Sequence, residues 1–144
     1  MKNLFYSNKI DKSILLAFII LLIGGLSIVK DYGVSSDEYS SRMKGFVTLN
    51  YLGQKISPDL TNKLKKDKNI SDLESYEQKI YGVVFEAPAS FLEVILKLDD
   101  KKHQFLLRHY LNFIVFFISA IFFYKILFFR FDNKWVAFIG TLFL

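Results

Sequence analysis

Two adjacent carboxylates, Asp37 and Glu38, stand in the stretch Gly33-Val34-Ser35-Ser36-Asp37-Glu38-Tyr39-Ser40, a few residues beyond the uncharged apolar run Ile14 to Val29. If that run crosses a membrane, the acids sit just off the bilayer surface on the far side from the N-terminus. Adjacent carboxylates there can bind a metal ion, take a proton from an acceptor hydroxyl, or start a helix. The helix reading has its own signature. Ser35 and Glu38 have capping-box spacing, in which the serine oxygen accepts an amide N–H three residues on and the glutamate reaches back. Asp37 then falls in the first turn, where the helix dipole favours a carboxylate. The readings are compatible, because a capped helix start also holds an acidic pair rigidly.

Arg108 and His109 open the second long apolar run, where an interfacial arginine can snorkel to lipid headgroups. Glu86 and Glu93 lie in the apolar stretch 83–98, and a separation of seven puts them on one helix face; that face is expected to meet water. One histidine makes no metal site, and the chain has no cysteine, which removes disulfides and thiolate metal centres. No cofactor can be named, and a divalent metal at the acidic pair is left open.

The elements that must position these residues are those of a membrane protein. Hydrophobic residues make up 52% of the 144 and concentrate at 14–29, 105–131 and 135–144, with a charged region between the first two runs. The net charge of +5 does not signal nucleic acid, because charges cancel between Lys30 and Gln104. The excess lies at the flanks, in Lys2, Lys9, Lys12, Arg108, Lys125, Arg130 and Lys134, where basic residues set orientation. The expected fold is therefore an all-α integral membrane protein with two full transmembrane helices and a truncated third. A helical extracytoplasmic loop with amphipathic juxtamembrane helices joins the first two.

Residues 1–12 form a cytoplasmic head, and 13–29 the first transmembrane helix. Sixteen apolar residues rise about 24 Å, and the flanks supply the remainder of a ~30 Å core; a cleaved signal peptide is the alternative use of this run. Residues 30–107 form the extracytoplasmic loop. Within it Tyr39, Met43, Phe46, Val47 and Tyr51 share a helix face, with Gly53 as a stop. Ser57-Pro58 reads as a helix start, the basic run 63–68 as a solvated face, and Asn69-Ile70-Ser71 as a glycosylation sequon. Ser71 and Glu74 repeat the capping-box spacing ahead of a helix ending at Gly82. Pro88 opens or kinks a helix near Ala87.

Residues 108–129 form the second transmembrane helix, in which Asn112 and Ser119 can bond across to a neighbour. Residues 130–134 form a basic cytoplasmic turn, and 135–144 begin a third span. Ten residues of helix reach about 15 Å, half a bilayer, so further chain is expected to complete it.

This order of features resembles the polytopic glycosyltransferases of the C-type fold, and most the dolichyl-phosphate-mannose protein mannosyltransferase family and its bacterial relatives. The residues that carry the resemblance are Gly33-Val34-Ser35-Ser36-Asp37-Glu38 after a first span, Tyr81-Gly82 and Glu86-Ala87-Pro88, Leu107-Arg108-His109 at the second span, and Phe122-Phe123-Tyr124-Lys125 through Asn133-Lys134-Trp135-Val136-Ala137. Proline often follows the arginine in relatives; here His109, Tyr110 and Leu111 do. The resemblance implies transfer of a sugar from a polyprenyl-phosphate-linked donor to a protein, lipid or glycan acceptor outside the cytoplasm, with membrane lipids as the surroundings. Asp37, seconded by Glu38, is then the base or a metal or acceptor ligand, and Arg108 and His109 are substrate contacts. The 144 residues alone are expected to be inactive. The competing reading is a non-enzymatic polytopic membrane protein whose external helical loop binds a partner.

Overall fold

The computed structural model of the protein describes residues 11–56, 61 and 70–144. Lys2, Lys9, Ser57-Pro58, the run 63–68 and the sequon's Asn69 lie outside the described residues. Every regular element among the described residues is helical: α1 (Lys12–Val29), α2 (Glu38–Ile56), a 3-10 turn (Leu73–Ser75), α3 (Glu86–Ile95), α4 (Lys101–Phe131) and α5 (Lys134–Thr141). Two of these, α1 and α4, are long and apolar enough to cross a membrane. To that extent the expected all-helical class holds. The chain divides into two units, one formed by residues up to Tyr32 together with His109 onward, the other by Gly33–Arg108.

In the first unit, Asp11 caps α1, its carboxylate accepting the Ser13 N–H at 2.9 Å and pairing with Lys134 Nζ at 2.7 Å. The core is small: Ile14, Phe18, Tyr124 and Ala137 are buried. Phe18 makes edge-to-face contacts with Phe117, Tyr124 and Phe138, the geometry that ring quadrupoles favour. Gly25 lies flat against the Phe113 ring, where a Cβ would come within 2.2 Å. Outside these contacts the two long helices show apolar side chains to the exterior; Ile20, Ile23, Phe122 and Ile126 are each about 60% exposed.

Hydroxyls on these helices satisfy themselves. Ser27 donates to Ile23 O at 2.8 Å and Ser119 to Val115 O at 2.9 Å, a back-bond that spares an apolar surface a free donor. Among the described residues the Ser119 hydroxyl donates within its own helix. The basic turn closes with Asp132 in the left-handed region at φ 53°. Asn133 then caps α5, its side chain accepting from Trp135 N and Val136 N.

In the second unit α2 packs on α3 at Gly45. A Cβ there would stand 2.3 Å from both Glu86 O and Ser90 Oγ, so the helices approach backbone to side chain with nothing between. The buried side of α2 is Arg42, Gly45, Phe46, Val47 and Asn50. Phe46 and Val47 are on it as expected, but Tyr39 is exposed. The close approach at Gly45 turns the helix so that Arg42 and Asn50 go inward instead. Helix α2 also runs past Gly53 to Ile56, with Gly53 facing Thr61. Phe46, Val47 and Ile70 form the apolar core, joined by Leu73, Tyr76 and Val94.

The helix expected from Ser71 and Glu74 is only the three-residue 3-10 turn, capped at Asp72 without a side-chain hydrogen bond. No apolar 3.6-residue repeat follows it, and a cap alone cannot offset the cost of helix nucleation. Pro88 lies in the first turn of α3, where its missing N–H costs nothing.

Candidate functional site

Ser35, Asp37 and Glu38 form one local hydrogen-bonded loop. The Ser35 N–H donates to Glu38 Oε1 at 3.2 Å, and the Glu38 N–H donates to Ser35 O at 3.3 Å. This is the reaching-back arm of a capping box. The other arm differs from expectation, because the Ser35 hydroxyl donates to the Asp37 carboxylate and not to the helix. Asp37 is exposed. The Ser35 hydroxyl, then its own backbone N–H, hold its carboxyl below the usual carboxylate range. It is therefore ionised across the physiological pH range, open to solvent, and fixed at the N-terminus of α2.

One turn further along α2 the chemistry changes. Arg42 makes a two-pronged contact with Glu93 of α3, Nε to Oε2 at 2.9 Å and Nη2 to Oε1, the fork geometry that suits guanidinium and carboxylate. Arg108, in the second turn of α4, donates Nη1 to Glu86 Oε2 and Nη2 to Ser90 Oγ at 2.8 Å, and its Nη2 stands 3.8 Å from Glu93 Oε2. Ser90 Oγ in turn donates to Arg42 O at 3.4 Å. The Arg42 guanidinium also lies over the Phe46 ring, 4.8 Å from its centroid. Arg42, Glu93, Ser90 and Arg108 are all buried, Glu93 at 1% exposure.

This corrects the expectation that Glu86 and Glu93 face water. They do share a face, but it is the inner face of α3. A buried charge is tolerated only when paired and hydrogen-bonded, and Arg42 and Arg108 meet that need. Nothing local in the sequence points to this set, since Arg42 and Glu93 are 51 residues apart. A signal was present: the chain has sixteen lysines but three arginines, and arginine is the residue suited to buried, bidentate pairing.

Of the four residues singled out from sequence, Asp37 and Glu38 share one loop. Arg108 pairs with Glu86, Ser90 and Glu93, and not with Asp37. The His109 ring lies edge-on to Tyr32, centroids 6.2 Å apart, in the first unit. Among the described residues no three His, Asp or Glu side chains gather closely enough to hold a metal ion. No family model matches the chain, and no match emerges among curated proteins or solved structures.

Proposed function

We propose that this chain supplies two spans and an external domain of a membrane glycosyltransferase. In this reading α1 and α4 cross the bilayer, the head and the 130–134 turn are cytoplasmic, and 30–107 are extracytoplasmic. The enzyme takes a sugar from a polyprenyl-phosphate-linked donor and passes it to an acceptor hydroxyl outside the cytoplasm. Asp37 is the base that accepts the hydroxyl proton as the oxygen attacks the sugar carbon and the lipid phosphate leaves. Glu38 fixes the loop that carries it.

The observation that carries this reading is the state of Asp37: an exposed carboxylate, ionised, and held in place at a helix start by Ser35. A general base must be deprotonated and accessible, and Asp37 is both; the Ser35 hydrogen bond that keeps it ionised also weakens it as a base, since base strength is best matched near the operating pH. The apolar exterior of α1 and α4 supports the membrane placement, since water would penalise so much exposed Ile and Phe. The basic short flanks support the orientation.

The test is Asp37→Asn in the full-length protein, which keeps the shape and the Ser35 contact but removes the basic site. Turnover with a lipid-linked sugar donor should fall roughly 10²–10⁴-fold, with the melting temperature in detergent nearly unchanged. Near-normal turnover in the folded variant would end the catalytic assignment and leave Asp37 as a helix-start residue.

A further inference from the structure

A cleft of about 130 Å³ opens within the unit Gly33–Arg108, between α2 and the segment 73–83. The chain's own bonds shape it. Leu73 packs against the core of Phe46 and Val47. The Tyr76 hydroxyl donates to Ser40 O at 3.4 Å, which ties the segment to α2. Two turns follow, the Lys79 N–H donating to Tyr76 O and the Tyr81 N–H to Gln78 O, each at 3.2 Å. They bring Gln78, Lys79 and Tyr81 to the cleft that Lys44 and Thr48 of α2 also line.

The charge around this space has one sign. Among the described residues that line it are two lysines and no carboxylate. Lys44 is half-buried. Its ammonium makes no hydrogen bond or salt bridge among the described residues and rests 5.2 Å from the centroid of the Tyr81 ring. A partly buried cation without a counter-ion is a place for an anion. Lys79 Nζ donates to Glu74 O, which holds it in position with two of its three donors left over. The neutral groups add a second preference. Thr48 Oγ1 spends its proton on Lys44 O at 2.9 Å, so its oxygen is left as an acceptor. The half-buried Gln78 amide offers both a donor and an acceptor. Leu73 and the Tyr76 ring supply apolar wall.

We infer that this cleft binds the ring of an acidic sugar, a hexuronic acid. Its carboxylate pairs with Lys44 and Lys79, its hydroxyls bond to Thr48 and Gln78, and the C–H face of the ring lies on Leu73 and Tyr76. The size agrees. An enclosed cavity of roughly 150 Å³ takes a benzene ring, so the cleft suits one six-membered ring. A bare inorganic anion would leave the apolar wall uncovered, and an aromatic acid would leave Thr48 and Gln78 without partners. The site needs neither a catalytic Asp37 nor a bilayer, because every residue in it belongs to one unit.

Saturation-transfer NMR on the purified full chain in detergent tests this. The probe is D-glucuronate, set beside D-glucose, which lacks the carboxylate, and benzoate, which lacks the hydroxyls. Glucuronate should bind saturably in the millimolar range, and the other two roughly tenfold more weakly. Lys44→Met keeps the aliphatic stem and removes the charge; it should weaken glucuronate roughly tenfold and leave glucose unchanged. Lys44→Arg should retain binding, as should Lys97→Met, an exposed lysine outside the cleft. Circular dichroism confirms the fold of each variant. If Lys44→Met does not fold, Lys79→Met at the exposed rim makes the same test. Absence of glucuronate binding would overturn the inference. So would equal affinity for glucose, which would remove the lysines from recognition, or equal affinity for benzoate, which would make the site one for apolar acids. Unchanged glucuronate affinity in the folded lysine variants would place the binding elsewhere and overturn it as well.

Discussion

Asp37 and Glu38 hydrogen-bond with Ser35 inside one turn of chain, and Asp37 is open to water. Glu86 and Glu93 are gripped by arginines 22 and 51 residues away, and Glu93 is buried. The four side chains are the same chemical group. A carboxylate locked between guanidiniums in the interior holds helices together and has no acceptor to serve. A carboxylate held by one hydroxyl at a helix start stays open to solvent. The difference lies in burial and in how far along the chain each partner comes from.

The comparison breaks most severely at Glu93. Glu93→Gln leaves two buried guanidiniums facing the single carboxylate of Glu86. Removing one partner of a buried pair costs about 3–5 kcal/mol, so the external unit should lose stability of that order. Denaturant unfolding of the full chain in detergent, followed by far-ultraviolet circular dichroism, reads it. The double change Arg42→Met with Glu93→Leu should recover much of the loss, because apolar replacement of a buried pair is often neutral. No recovery would mean the pair does more than fill space.

A smaller effect is expected at Gly45. Gly45→Ala gains roughly 1 kcal/mol in helix propensity, but its Cβ would meet the Glu86 carbonyl at 2.3 Å, and a backbone atom cannot rotate away. Overpacking of this kind costs about 1–3 kcal/mol, so the net sign is destabilising. Gly24→Ala in α1, where a Cβ meets nothing within 4 Å, should be neutral or slightly stabilising. Equal melting temperatures for the two variants would refute the close crossing of α2 and α3.

The mildest change is Ser35→Ala. The Ser35 hydroxyl lowers the Asp37 carboxyl, so its removal raises that value toward the ordinary range. The stabilising contribution of a depressed carboxyl is present above the unfolded value and lost as pH falls through the folded one. The variant should therefore lose this contribution, with only a small effect on melting because the site is exposed. In kcat/KM against pH, the acid limb should move to higher pH while the neutral plateau stays. An unmoved acid limb would separate Asp37 from the proton transfer.

The two long helices were legible in the sequence, because a run such as Ile14 to Val29 has no other economical structure. The start of α4 was less so. The helix begins at Lys101, four residues before the apolar run 105–131, through Lys-Lys-His-Gln that hydropathy passes over. Asp100 accepting the Lys102 N–H was the readable mark of that start. The Ser35–Glu38 contact was legible because it is local. The Arg42–Glu93 and Arg108–Glu86 pairs were not, since periodicity fixes which residues share a face but not which way the face turns. Gly45 decides that direction, and its role depends on α3 arriving from forty residues downstream.

Arg42, Arg108, Glu86 and Glu93 together carry two positive and two negative charges, with Glu86 half-buried and the other three buried. Seen from outside, such an alternating set has no net monopole, and its potential falls away faster than that of a single ion; salt screens the remainder over about 8 Å at physiological ionic strength. An approaching anion thus feels little of Arg42 or Arg108 until it is near enough to compete with Glu86 or Glu93 for a guanidinium. The long-range attraction of this unit for anions falls to its surface lysines, and its two arginines are electrostatically silent at a distance.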